Sequence, residues 1–352
     1  MILTVVGARP QFIKAAVVSD ALKLNGIEES IIHTGQHYDE NMNDVFWREL
    51  NLPKIVHNLN VGSNTQGVQT ARIIEGLENY LLHLDIKPTA ILLYGDTNST
   101  LGGAIVASKL MIPIIHIEAG LRSFNREMPE EINRIVTDHL SSLLFCSSTH
   151  AEKQLIKEGI KEGIYVCGDV MHDAVLKYSE IAKNKHLSNI LKFEPGRYCL
   201  LTLHRPSNTD EIKKLEKILN ELNTIPIDIV WPIHPRVASK LEKLKLPPNV
   251  HMIPPLSYLE MLVVLENSYK VFTDSGGLQK EAYWLKKPCI TLRYETEWVE
   301  TLEGGWNLLN GEVDNSIINN YLYQPDPTMW RDLYGKGDAS LRIVSIIKQK
   351  YY

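Results

Sequence analysis

Short apolar runs that break off into dense clusters of Gly, His, Asp, Glu and Arg set the rhythm of this chain. Ile2 to Val6 runs into Gly7-Ala8-Arg9-Pro10, Ala90 to Tyr94 into Gly95-Asp96-Thr97, and Pro113 to Ile117 into Glu118-Ala119-Gly120-Leu121-Arg122. The design returns at Leu200 to Leu203 before His204-Arg205, and at Val271 to Thr273 before Asp274-Ser275-Gly276-Gly277. Amphipathic stretches lie between: Gln11 to Lys23, Gln66 to Leu82, Thr100 to Leu110, a stretch from about Glu130, and Val170 to Lys183 read as helices. Further strands are read at Ser30 to Thr34, Leu143 to Cys146, Cys199 to Leu203, Ile227 to Trp231, Val250 to Ile253 and Cys289 to Leu292. Strand then helix, repeated, predicts an α/β protein built on parallel sheets with both faces covered. In such sheets ligands bind beyond the carboxyl ends of the strands, which is where the polar clusters stand.

The alternation restarts after Lys183, and the weakly patterned stretch from Asn184 to Pro195 reads as a seam. A length of 352 residues suits two cores. The expectation is two Rossmann-like, doubly wound domains facing each other across a cleft, 1–170 and 171–335, with a helical tail 336–352 packing back on the first. A formal net charge of −5 leaves no basic footprint for nucleic acid. No apolar run reaches the length of a membrane span. Met1 leads straight into a strand-like run with no secretory pattern, which points to the cytoplasm. Cys146, Cys167, Cys199 and Cys289 are widely spaced in or beside apolar runs, the usage of buried thiols rather than of disulfides or a zinc site.

The clusters carry the chemistry. Gly7-Ala8-Arg9-Pro10 feeds a helix N-terminus whose N–H groups, with Arg9 and Lys14, suit an anion. The dinucleotide fingerprint G-x-G-x-x-G is missing, so no nicotinamide cofactor is expected. Ser275, Gly276 and Gly277 open a helix at a strand end and suit a pyrophosphate. Leu256 and Tyr258 follow another strand end and serve either packing or the flanking of a base. Asp96, Glu118 and Glu130 come from neighbouring strand ends or the loop after one; grouped, they would repel and allow acid and base roles near neutrality. Arg122 and Arg134 lie close by in sequence, and His116, His37 and His204 add groups that titrate in the useful range. Gln36-His37-Tyr38-Asp39 follows the second strand at the same rim. No spacing of His, Cys and Asp reads as a metal site.

Taken together, Gly7-Ala8-Arg9-Pro10, His33-Thr34-Gly35-Gln36-His37, Gly95-Asp96-Thr97, His116 to Arg122, Met128 to Arg134, His204-Arg205, Asp274 to Gly277 and Glu295-Thr296-Glu297-Trp298 resemble the non-hydrolysing UDP-N-acetylglucosamine 2-epimerase family over nearly the whole length. The resemblance implies a glycosyltransferase-B-like fold, with the first domain handling the sugar and the second UDP. It implies inversion at C2 of a UDP-linked 2-acetamido sugar, by anti elimination of UDP to a 2-acetamidoglycal and syn re-addition, without cofactor or metal, for surface polysaccharide precursors. It assigns catalytic roles to Asp96, Glu118, Glu130 and His204, and leaves the division of acid and base work among the carboxylates open. Arg9, Lys14, Arg134, Ser275, Gly276, Gly277 and Glu281 match positions holding diphosphate, ribose or sugar; Gln36 and His37 match positions linked to closure and activation by UDP-sugar. A homodimer is expected. The family's common Thr-Arg-Pro-Glu is Ala8-Arg9-Pro10-Gln11 here, and the loop from Arg122 to Glu127 departs from the common bacterial form. Those departures are similar to the branch acting on UDP-2,3-diacetamido-2,3-dideoxyglucuronate and to some archaeal-like UDP-GlcNAc enzymes, and Arg126 is a candidate cation for an extra sugar carboxylate. A hydrolysing epimerase and a glycosyltransferase remain alternatives on the same architecture.

Overall fold

A computed structural model describes residues 1–36, 47–233, 235–241, 244–311 and 316–352. The chain divides into two compact units, Met1–Ala174 with Tyr334–Tyr352, and Val175–Leu333. The first holds a seven-stranded sheet with strands β1 (Ile2–Val6), β2 (Glu29–His33), β3 (Ile55–Asn58), β4 (Ala90–Tyr94), β5 (Ile114–Ile117), β6 (Leu143–Cys146) and β7 (Ile164–Val166). Their order is β3-β2-β1-β4-β5-β6-β7, and every pairing is parallel. The second holds β8 (Tyr198–Thr202), β9 (Asp228–Pro232), β10 (Val250–Ile253), β11 (Val271–Thr273), β12 (Cys289–Thr291) and β13 (Asn307–Leu309), ordered β10-β9-β8-β11-β12-β13 and again all parallel. This is the α/β, Rossmann-like class that the alternation predicts, built twice. In each sheet the winding reverses beside the first strand, between β1 and β4 and between β8 and β11, so a crevice opens at their carboxyl ends.

The central strands are buried on both faces, which is why they read as continuous apolar runs. In the second unit alternate residues serve separate cores: Cys199 and Leu201 join Ile218, Leu222 and Trp231, while Tyr198 and Leu200 join Val264, Val271 and Ala282. Each fully buried Leu or Val contributes about 1.5–3 kcal/mol. The four cysteines are free and buried, Cys199 and Cys289 within these cores. Three strands escaped the sequence reading. β3 is an edge strand with Val56, His57 and Asn58 exposed, β7 has three half-buried residues, and β13 has three residues, one of them Asn307.

The helix Ala339–Tyr351 belongs to the first unit and lies against the helix Arg9–Leu24, where Lys348 Nζ donates to the Asn25 carbonyl at 3.2 Å. Its open N-terminus is closed by Asp173, whose carboxylate accepts from Ala339 N, Ser340 N and Ser340 Oγ at 3.1, 2.7 and 2.6 Å. Burial pushes the Asp173 carboxyl up and these donors pull it back, leaving it above the ordinary carboxylate range. The stretch 184–195 lies within the second unit, and the division between units falls inside the helix Val170–Ala182. No helix among the described residues is long and apolar enough to cross a membrane.

Candidate active site

In the first unit the functional side chains gather where β1, β4 and β5 end. Gly95 has φ 63°, and a Cβ there would come 3.1 Å from Glu118 Oε2 and 3.4 Å from Lys14 Nζ, so only glycine leaves the space. Glu118 is itself left-handed, at φ 75°. A non-glycine residue in that region costs about 1–2 kcal/mol. The turn is held by Glu118 N and Ala119 N, which donate to the Phe145 carbonyl at 3.0 and 3.1 Å. What the strain secures is the carboxylate's place against the Lys14 ammonium, an ion pair with both side chains under a tenth exposed.

Asp96 follows Gly95 and is a third exposed. Arg134 sends Nη2 and Nε to Asp96 Oδ2 at 2.6 and 2.9 Å and Nη1 to Glu131 at 2.8 Å, while Asn133 Nδ2 donates to the Asp96 carbonyl at 2.9 Å. These residues lie on the helix Pro129–Leu140, which starts with proline at its first position and carries Glu130 and Glu131 in its first turn, as the dipole favours. Glu130 is half-buried at that rim; its neighbour Glu131, 1% exposed, shapes the loop instead, accepting from Ser123 N, Ser123 Oγ and Phe124 N. The expected mutual repulsion of carboxylates meets a different arrangement, since Asp96 and Glu118 each lie against a buried cation.

Two expectations are corrected here. His116 does not present its ring to a ligand. It is fully buried, with Nδ1 2.7 Å from Asp138 Oδ1 and Nε2 2.8 Å from the Gly95 carbonyl, so it props the turn from behind. Arg122 does not serve Asp96 or Glu118; it bridges Asp138 and Glu158. Burial raises the Asp138 carboxyl, but His116 and Arg122 outweigh it and hold the group below the carboxylate range. Gln36 spends its amide oxygen on Ser99 N and Ser99 Oγ at 3.0 and 2.7 Å. Arg9 is half-buried at the first position of the helix Arg9–Leu24, and His37 lies outside the described residues.

In the second unit the expected residues gather at the ends of β8, β10 and β11. Ser275 caps the helix Gly276–Trp284, its side chain accepting from Leu278 N at 3.4 Å, and the helix N-terminus with two glycines leaves N–H groups for an anion. A Cβ on Gly276 would come 2.6 Å from Glu297 Oε1, which explains the glycine. Asp274, 0% exposed, accepts from His204 N, Arg205 N and Asn208 Nδ2 and lies 3.1 Å from His204 Nδ1. Burial pushes its carboxyl up, yet His204 and the backbone N–H groups of Arg205 and His204 prevail, leaving it below the ordinary range. A carboxylate at Nδ1 orients the imidazole, a pairing that the sequence reading missed. Glu281, 6% exposed, is pushed by burial up to about 7, with the Tyr258 hydroxyl and Lys280 pulling it back. Tyr258 is packed inside, 4% exposed and edge-on to Tyr178, and Leu256 packs on the core beside Leu278. Of the two readings of that segment, the packing one describes these side chains. Among the described residues no group of His, Cys, Asp and Glu is arranged to hold a metal ion.

Two parallel Rossmann-like sheets carrying paired acid–cation groups at their carboxyl ends define an α/β enzyme, and its relatives say of which kind. Residues 20–348 match the family described as UDP-N-acetylglucosamine 2-epimerase. The chain is 45% identical to a UDP-N-acetylglucosamine 2-epimerase homolog of Methanococcus maripaludis, covering 99% of both chains. It is also 45% identical to the UDP-2,3-diacetamido-2,3-dideoxy-D-glucuronate 2-epimerase of Pseudomonas aeruginosa, over 98% of this chain and 99% of that one. The crystal structure of Methanocaldococcus jannaschii UDP-GlcNAc 2-epimerase in complex with UDP-GlcNAc and UDP superimposes with a TM-score of 0.92 at 41% identity, over 99% of this chain and 100% of that one. The chain belongs to the UDP-N-acetylglucosamine 2-epimerase family and is an isomerase.

Proposed function

We propose that this isomerase inverts C2 of a UDP-linked 2-acetamido sugar without hydrolysing it. The observation that carries the reading is the turn at Gly95-Asp96 and Glu118, where a strained backbone holds two carboxylates, each against its own cation, at adjoining strand ends. C2 of such a sugar has no carbonyl beside it, so its proton is not acidic. Anti elimination avoids that obstacle: the C2–H bond and the anomeric C1–O bond break, a C1–C2 double bond forms, and the electron pair leaves on the UDP phosphate. Syn re-addition then returns the UDP oxygen to C1 and delivers a proton to C2 on that same face, opposite the face the first proton left, which inverts C2.

The roles follow the chemistry. Asp96 and Glu118 move the C2 proton, with Glu130 as a supporting acid. In the second unit, His204, oriented by Asp274, and the Ser275-Gly276-Gly277 helix end serve the developing charge on the diphosphate, and in the first unit Arg9 and Lys14 serve as anion-binding cations; donors arranged beforehand where charge develops lower the barrier most. Glu281 holds the ribose. In deuterated water the product recovered should carry deuterium at C2, read by proton NMR; product epimerised without label overturns elimination. UDP-N-acetylglucosamine is the leading substrate, and UDP-2,3-diacetamido-glucuronate is the second, favoured by the 45% identity to the Pseudomonas enzyme and by the exposed cation Arg126 in the substrate-side loop. A panel of both sugars separates them. We also take the protein to be a cytoplasmic homodimer, which sedimentation of the purified chain tests for its oligomeric part.

A further inference from the structure

Three buried side-chain amides, from Asn133, Asn98 and Gln69, run head to tail behind the Asp96 turn. Asn133, on the helix Pro129–Leu140, has Nδ2 donating to the Asp96 carbonyl at 2.9 Å and to Asn98 Oδ1 at 3.2 Å. Asn98 opens the helix Asn98–Lys109, and its Nδ2 donates to Gln69 Oε1 at 2.8 Å and to Gln66 Oε1 at 2.6 Å. Gln69, in the first turn of the helix Gln66–Leu82, has Nε2 donating to the Gly62 carbonyl at 2.8 Å and to the Gln36 carbonyl at 3.3 Å. Amide orientation is assigned from partners, and here the ends decide it. The carbonyls of Asp96 at one end and of Gly62 and Gln36 at the other only accept, so Asn133 and Gln69 each turn an NH2 towards them. Asn98 is left one arrangement, oxygen to Asn133 and nitrogen to Gln69. The far end is tied down in turn, since Val61 N donates to the Thr34 carbonyl at 3.0 Å and Gly62 N to the Gly35 carbonyl at 2.9 Å.

We propose that Asn98 is a positioning residue, the middle link of an amide relay that couples the main chain at Asp96 to the turn 34–36 after β2, so that a shift at either end is passed to the other. The Asn98 side chain bonds neither end itself; it acts through Asn133 on one and through Gln69 on the other. All three amides donate in the same sense. Reversing the middle one would set NH2 against NH2 and oxygen against oxygen, and buried polar groups left facing in that way are costly, so the chain holds or fails as a whole. Asp96 is thereby held by two separate handles, its carboxylate by Arg134 and its carbonyl by the relay. The Gln36 side chain has its own tie to Ser99, and the relay adds a hold on the Gln36 main chain. The proposal rests on the proposed function only in giving Asp96 work on the C2 proton.

Asn98→Ala, Gln69→Met and the double variant, compared with the parent chain at one pH, test it by amide hydrogen exchange over 59–63 and 94–97, with 143–146 as a segment outside the relay. Asn98→Ala should lose protection by about tenfold at both ends, the equivalent of one or two lost hydrogen bonds. Gln69→Met should do the same, including at 94–97, which its side chain does not reach. The double variant should be no looser than the single ones, because either substitution cuts the same chain. In all three, kcat on UDP-N-acetylglucosamine should fall by about tenfold with KM little changed. Unaltered protection at 94–97 in Gln69→Met refutes the relay, and so does a double variant in which the two losses add. Equal losses at 143–146 mean a general loosening and refute it as well. If Asn98→Ala does not fold, the 94–97 segment of Gln69→Met decides alone. A parent inactive on every UDP-sugar overturns the proposed function, and exchange still decides the relay.

Discussion

Glu281 makes folding stability depend on pH in a direction opposite to that of most carboxylates. It is enclosed in the second unit, and burial lifts its carboxyl from an ordinary 4.5 to about 7, against the pull of Tyr258 and Lys280. Above pH 4.5 the unfolded chain releases this proton while the native chain keeps it. The contribution is therefore fully present below 4.5, is lost as pH rises towards about 7, and is constant beyond. Each factor of ten in proton affinity is worth about 1.4 kcal/mol, so the interval from 4.5 to about 7 amounts to about 3 kcal/mol. Glu281→Gln keeps the shape and removes the ionisation. Guanidinium unfolding of parent and variant from pH 4.5 to pH 8 should show the stability difference, parent minus variant, falling by about 3 kcal/mol at an unchanged m value. With the proposed ribose role for Glu281, UDP affinity of the parent should rise relative to that of the variant over pH 6 to 8, the ionisation of UDP's own terminal phosphate being common to both. Parallel stability curves for the two proteins would refute the assignment of this proton to Glu281.

Other substitutions test other parts. Gly276→Ala sets a methyl group 2.6 Å from Glu297 Oε1 and should weaken UDP binding by about tenfold or more in calorimetry, at a stability cost of about 1–3 kcal/mol; undiminished affinity removes the phosphate role of this turn. Arg134→Ala leaves Asp96 and the buried Glu131 without their cation and should cost about 3–5 kcal/mol, with Arg134→Lys recovering only part, as thermal melting will show. Asp173→Ala strips three hydrogen bonds from the last helix and should speed proteolytic release of 339–352; an unchanged cleavage rate contradicts the capping role.

The class of fold was legible because both sheets are parallel and covered, so their central strands are unbroken apolar runs that end in glycine and charge. Local rhythm could not reveal β3, whose exposed residues carry no apolar run, or β13, which is too short to set a period. The site was legible in its residue types and less so in its pairings. Lys14 and Glu118 are 104 residues apart, and Asp96 and Arg134 are 38 apart, so nothing local links them. Asn98, Glu131 and Asp274 work by holding other groups, and a residue of that kind looks like any polar residue near a helix start until its partners are known. His116 misled for the opposite reason: its place in a motif pointed outward, but both faces of its strand are covered and its ring is held between Asp138 and the Gly95 carbonyl.

Both ends of the described chain belong to the first unit, and the second is one uninterrupted stretch between them. A ribosome therefore delivers everything the second unit needs before it has delivered the helix that completes the first. The later-encoded half can mature first, while the earlier half waits, with the surface destined for Ala339–Tyr351 bare, until that helix has been made. Removal of residues 339–351 would accordingly injure the half of the molecule that was synthesised first.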